Sequence, residues 1–126
     1  MIKTTALLAI FLLQPVQAAD NGQWEATDPV IRKWYQGLMQ PDNTTVSCCG
    51  ETDAYFADDF EVVGGQYLAI ITDDREVPGR PYVRPGTRVL IPNHKLKYDA
   101  GNPTGHGVVF MNTIGNVYCY IVPPGV

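Results

Sequence analysis

Five side chains are of the types that do nucleophilic or metal chemistry near neutral pH: Cys48, Cys49, Cys119, His94 and His106. The sharpest catalytic pattern pairs Cys49 with His106. Cys49-Gly50 precedes a stretch able to form one short helical turn from Glu51, and a helix N-terminus lowers a thiol pKa. His106 enters the apolar run Gly107-Val108-Val109-Phe110, 57 residues after Cys49, where it could serve as the base for a thiol nucleophile. The same cysteines also read as a staple. A vicinal Cys48–Cys49 bond would close a strained ring, so the default is one of the two paired with Cys119. That is either Cys48–Cys119, leaving Cys49 free, or Cys49–Cys119. As metal ligands, Cys48, Cys49, His94 and His106 lack any C-x-x-C or H-x-x-x-H spacing. Asp53, Asp58, Asp59, Asp73 and Asp74 lack the alternation around a fixed glycine that a calcium loop needs. No metal and no cofactor are expected.

Asp58-Asp59 and Asp73-Asp74 flank turns, and adjacent side chains point apart on extended chain, so they read as solvated turn acids rather than a catalytic carboxylate pair. A binding surface is the better-supported reading. Arg80, Tyr82 and Arg84 alternate, so extended chain puts them on one side, with Arg88 beyond a Pro-Gly turn. Prolines at 78, 81, 85 and 92 exclude a long central strand. The segment is therefore an edge, open to a partner strand or an anionic ligand. Asn93 to Gly107 exceeds the usual connection length and carries His94, Lys95, Asn102 and His106, which makes it a candidate functional loop.

These residues must be held by a small scaffold. The chain has 126 residues, 13 acids against 9 bases, and 22 glycines and prolines together. The acidic balance excludes a general nucleic-acid binder, which needs a basic surface to offset phosphate charge. Charge is lopsided: residues 20–76 hold 12 acids and 3 bases, residues 77–126 hold 1 acid and 5 bases. Residues 1–18 read as a signal peptide, with Lys3, an apolar stretch from Ala6 to Leu13, and small residues at Val16 and Ala18. Eight apolar residues are too few to span a bilayer core, which takes about 20, and no longer run follows. Cleavage near Ala18 would leave residues 19–126 as a single compact α+β domain, periplasmic or secreted.

Asp28 and Pro29 mark a helix start, and Val30, Ile31, Trp34, Tyr35 and Leu38 recur at helical spacing, predicting an amphipathic helix over 29–39. Residues 42–45 read as a loop. The Gly64-Gly65 pair predicts a tight hairpin in which Val62 faces Tyr67 and Phe60 faces Ala69. Those four share an apolar face with Ile71, and the opposite face is only half polar, so the sheet is expected to be covered on much of both faces. Further strands fall at Arg88–Ile91, Val108–Met111 and Val117–Val122. The expected fold is α+β, one N-terminal helix on a small antiparallel sheet or half-barrel of about five short strands.

Trp34-Tyr35-x-x-Leu38-x-Gln40-Pro41, Ser47-Cys48-Cys49-Gly50, Asn102-Pro103-Thr104-Gly105 and Tyr118-Cys119-Tyr120 together resemble a family of small exported bacterial proteins of uncharacterised activity. Similar sequences carry cysteines where this chain has Ala54 and Phe110, which implies a second disulfide in those relatives and a sheet-stapling role for the cysteine set. The Cys-then-His order, in turn, is similar to that of NlpC/P60- and CHAP-type cell-wall peptidases. Two functions are therefore expected. The first is an exported binding or accessory domain without catalytic activity, its partner a protein or an anionic ligand. The alternative is a cysteine-dependent cell-wall hydrolase using Cys49 and His106.

Overall fold

The computed structural model describes residues 28–112 and 114–125; the proposed signal peptide lies outside them. Helix α1 spans Pro29–Gly37, with Asp28 Oδ1 accepting the Val30 N–H at 2.8 Å and proline in the first turn. It stops short of residue 39 because Leu38 is already extended (φ −80°, ψ 124°). Nine residues are too few to hold a helix in water. Burial of Tyr35 and Leu38 supplies the missing stability, and Trp34 Nε1 donates to Asp99 Oδ2 at 2.8 Å, tying the helix to the 93–107 loop.

Among the described residues nine short strands follow: β1 (Met39–Gln40), β2 (Asn43–Ser47), β3 (Ala54–Phe56), β4 (Asp59–Val63), β5 (Gln66–Ile70), β6 (Arg88–Ile91), β7 (Leu96–Lys97), β8 (Val108–Met111) and β9 (Val117–Ile121). They form three sheets, in the orders β1-β2, β3-β8-β9-β7 and β4-β5-β6. The class is α+β as the sequence pattern implies. The strands are more numerous than expected and fall in separate sheets, and one pair, β7 with β9, is parallel. The segment at 42–45, expected as a loop, is largely strand β2, and Glu51–Asp53 makes a single 3-10 turn before β3.

The molecule is layered. Along β8 and β9 the side chains alternate between two cores. Val108, Phe110, Cys119 and Ile121 join Tyr35 and Leu38 of α1, where the Tyr35 ring meets Phe110 edge-on at 5.9 Å. Val109, Met111, Val117 and Tyr120 face Ala69, Val89 and Ile91 of the three-stranded sheet. The four-stranded sheet is thus covered on both faces, which is why all four residues of β8 are buried and apolar.

The β4–β5 hairpin has the expected register, Val62 opposite Tyr67 and Phe60 opposite Ala69. Gly64 and Gly65 adopt φ 59° and 81°, the left-handed pair that a two-residue turn between twisted strands requires. One expectation, cover on much of both faces of the hairpin, is corrected here. Val62 lies on the core side of the hairpin but so near its tip that it stays 57% exposed. The opposite face is open rather than covered, with Val63 and Leu90 exposed. Gly107 marks the closest approach in the fold: a Cβ there would run into the Ala57 carbonyl oxygen and the Pro123 ring.

Candidate functional site

The loop after β2 meets β9 through a disulfide between Cys48 and Cys119, whose Cα atoms are 5.7 Å apart. Cys49 is a free thiol, 6% exposed. Its N–H donates to Ser47 Oγ at 2.8 Å, and its Sγ lies 3.8 Å from the Ser47 carbonyl oxygen. Burial pushes the Cys49 thiol pKa up, and the Asp53 carboxylate adds to the rise. Both effects oppose the thiolate that a nucleophile needs.

His106 sits at the end of the long loop. Its Nδ1 lies 3.0 Å from Asp58 Oδ2, and the same carboxylate accepts the Gly107 N–H at 2.9 Å. The imidazole stacks on Phe56 with centroids 3.9 Å apart and planes 10° off parallel. The Arg75 guanidinium also lies 3.9 Å from the Phe56 centroid. Two groups that close to one ring cannot share a face, so Phe56 is held between imidazole and guanidinium. His106 is therefore paired with Asp58, the acid that the sequence pattern presented as a solvated turn residue.

The second such acid is corrected more strongly. The Asp73 side chain is fully buried, and accepts from the backbone N–H of Phe56 (3.1 Å) and Arg75 (3.0 Å), from Arg75 Nε and Nη2, and from Arg80 Nη1 at 2.8 Å. Burial alone would push its carboxyl pKa up, but the hydrogen bonds from Arg75, Arg80 and the two backbone amides outweigh it and hold the group far below the ordinary carboxylate range. Asp74, its neighbour, is exposed.

Arg80, expected at the head of a binding edge, belongs to this buried network. Its side chain is 2% exposed, Nη1 also donates to the Ala54 carbonyl at 2.8 Å, Nη2 donates to the Arg75 carbonyl at 2.7 Å, and the guanidinium lies over the Tyr55 ring. It holds strand β3 to the 73–80 segment and is not available to a ligand. Tyr82 and Arg84 are exposed as expected. Arg88 is exposed on β6 and makes a two-pronged pair with Glu61 across the sheet at 3.0 and 3.1 Å.

The 93–107 segment, expected as one loop, contains a 3-10 turn over Asn93–Lys95 and strand β7, and is tied both to residues 40–42 and to itself. Lys95 Nζ donates to Gln40 Oε1 (2.8 Å) and Asp42 Oδ1 (3.0 Å), and His94 lies 3.8 Å from Asp42 while remaining 62% exposed. Asn102 accepts from the Thr104 N–H and hydroxyl through Oδ1, and donates through Nδ2 to the His106 carbonyl at 2.7 Å. Asn102 and Lys95 thus shape the loop that presents His106.

Beside a concavity of about 240 Å³ lined by Arg75, Glu76, Val77, Arg80 and Tyr82, two others open among the described residues. The larger, about 400 Å³, runs beside β6 and is lined by Tyr55, Pro81, Tyr82, Val83, Thr87, Arg88, Val89, Leu90, Met111, Asn112 and Gly115. The smaller, about 210 Å³, lies between α1 and the long loop, lined by Ile31, Tyr35, Glu51, Phe56, Arg75, Thr104 and His106. Sequence reasoning placed Tyr82, Arg88 and His106 at these openings and missed Asp58, Asp73, Glu51 and Arg75. The dipeptide acids carried no periodic signal; only the fold brings them to His106 and Arg80. Among the described residues no cluster of three or more His, Cys, Asp or Glu side chains could hold a metal ion. No helix among them is long and apolar enough to cross a membrane. Compared with known proteins, the chain matches no family model, no curated protein and no solved structure.

Proposed function

We propose that this chain is an exported, non-catalytic binding or accessory domain that receives an extended segment of a partner protein along strand β6. The observation that carries this reading is the coincidence of an open strand edge with a groove. Strand β6 is the outer strand of its sheet, and among the described residues no strand pairs with its far side. The groove of about 400 Å³ is lined by Arg88, Val89 and Leu90 of this strand. An added strand gains main-chain hydrogen bonds from such an edge, while alternate side chains fill the groove. Tyr55, Val89 and Met111 give it apolar lining, and the exposed Tyr82 is the kind of amphipathic anchor that dominates such contacts. The exposed Arg84 favours a segment with an acidic flank.

The disulfide of Cys48 with Cys119 supports an oxidising compartment, in keeping with the signal peptide expected at residues 1–18. A cysteine-dependent cell-wall hydrolase is the weaker alternative, because Cys49 is buried with a raised pKa and His106 is committed to Asp58.

The test is selection of peptides from a displayed random library against the folded, oxidised domain, followed by affinity measurement on the Tyr82→Ala and Leu90→Lys variants. Both side chains are well exposed, at 63% and 54%, so folding stability should move by less than about 0.5 kcal/mol. Peptide affinity should fall by about tenfold or more. Selected peptides indifferent to both changes would refute the assignment.

A further inference from the structure

The groove of about 400 Å³ is lined by Arg88 and Leu90, whose side chains share one face of β6, and by Val89, which lies on the other. One groove reaches both faces of a strand only across an edge, and the edge toward β5 is closed by pairing. The groove therefore follows the free edge. Ile71 N–H donates to the Thr87 carbonyl at 2.9 Å, so the main-chain groups bonded to β5 alternate from there through Val89 and Ile91. The N–H and C=O of Arg88 and Leu90 point the other way. A strand bonded to those groups sets the residue opposite Val89 at a non-hydrogen-bonded position, where facing side chains come closest, about 4.5 Å between Cα atoms. That side chain shares the face of Val89 and enters the groove.

The lining selects an apolar occupant. Of its five polar side chains, four are already bonded within the fold: the Tyr55 hydroxyl to the Pro81 carbonyl (2.7 Å), Thr87 Oγ1 to the Arg84 carbonyl (2.6 Å), Arg88 to Glu61, and Asn112 Oδ1 to the N–H groups of Ile114 and Asn116. The fifth, Tyr82, is well exposed. A sugar or other small polar ligand would leave its own groups without partners there. Met111 and the Tyr55 ring suit an aromatic side chain, since thioether and aromatic groups attract a ring beyond plain burial. A space of about 400 Å³ equals about thirteen waters at ~30 Å³ each, room for one aromatic ring and the main chain beside it.

Charge sets the direction. Among the described residues no acidic side chain lines the groove. Arg84 is exposed at the turn leading into β6, where the Thr87 N–H donates to its carbonyl. A segment antiparallel to β6, the pairing that β4, β5 and β6 already use, passes that turn after it has passed Val89.

We infer, on the reading of β6 as a receiving edge, that the partner segment runs antiparallel to β6 and sets one aromatic side chain opposite Val89, against Tyr55 and Met111. It carries a carboxylate side chain about two or three residues later, toward Arg84. The ring supplies most of the affinity, and the carboxylate fixes the direction of the segment.

The experiment selects peptides from a displayed random library against the oxidised domain and synthesises their consensus. That consensus should hold one aromatic position followed by Asp or Glu. In NMR the bound peptide should slow exchange of the Arg88 and Leu90 amides, and its ring protons should contact the Val89 and Met111 methyl groups. Alanine in place of the ring should weaken binding by about thirtyfold or more. The amide in place of the acid should weaken it by about two- to fivefold, an effect that salt removes. Arg84→Glu should abolish the preference for an acid and leave the ring contacts in place. Peptides that protect Arg88 and Leu90 with no ring against Val89 and Met111, or with the acid preceding the ring, would overturn this assignment and leave the receiving edge standing. Peptides that protect neither amide would overturn both.

Discussion

Replacing Asp73 by alanine tests how the scaffold is held. The carboxylate is fully buried and accepts from Arg75, Arg80 and two backbone amides, while the Arg80 side chain is 2% exposed. Removing it leaves the Arg80 charge buried without its partner, a change that costs about 3–5 kcal/mol. Against a typical domain stability of about 5–15 kcal/mol, that is a large fraction. For a domain of this size it corresponds to a fall in Tm of roughly 12–40 °C. Arg75→Ala, by contrast, removes a partner whose side chain is 46% exposed, and the ion pair lost is worth about 1 kcal/mol or less. The ranking Asp73→Ala well above Arg75→Ala is therefore expected in urea unfolding at pH 7. The sign with pH follows from the lowered pKa. Asp73 has a folded pKa below its ordinary value of 3.8, so the unfolded chain binds its proton first. Its charge contributes stability in full above that value, and the contribution fades as pH falls below it. The gap between the original protein and Asp73→Ala should narrow from pH 5 downward. A loss under about 1 kcal/mol at pH 7, or a gap that widens in acid, would refute the reasoning.

Other perturbations have equally definite outcomes. Cys48→Ser opens a bond joining residues 71 apart, and should lower stability by about 2–5 kcal/mol, measured by urea unfolding under oxidising conditions. Gly107→Ala places a methyl against the Ala57 carbonyl and the Pro123 ring; a loss of about 1–3 kcal/mol is expected, read from thermal unfolding by circular dichroism. Ala54 and Phe110 are direct partners in the β3–β8 register, so Ala54→Cys with Phe110→Cys should form a second disulfide on oxidation, detected by mass after alkylation. Its gain is offset by loss of the buried Phe110 ring, about 3–5 kcal/mol, so the bond should form without a net rise in Tm.

Much of the fold follows from local rules. The Asp28-Pro29 start, the Gly64-Gly65 turn and the register it dictates, and strands β6, β8 and β9 all carry short-range signals in the chain. The β1–β2 hairpin was not legible, since Asn43-Thr44-Thr45 is polar and mostly exposed and shows no alternation. Nor was the division into three sheets, which long-range pairing sets. The cysteine set narrowed to two pairings, and geometry selects Cys48 with Cys119. The site was half legible. Tyr82 and His106 are where an exposed edge and a long loop place them, whereas Arg80 is buried by a partner, Asp73, that looks like a turn acid in sequence. Paired carboxylates on extended chain diverge, and here one of each pair turns inward: Asp58 to His106 and Asp73 to the two arginines. No periodicity encodes that choice, because it is made by tertiary packing of the segments around β3.

Amide hydrogen exchange across β6 tests the central proposal most directly. A displayed-library peptide is added at saturation, and exchange is followed at Arg88 to Ile91 with and without it. The amides of this strand that point away from β5 should exchange quickly in the free domain and slow by about tenfold or more when an added strand bonds to them. Unchanged exchange over β6, with protection appearing on another surface, would contradict the account.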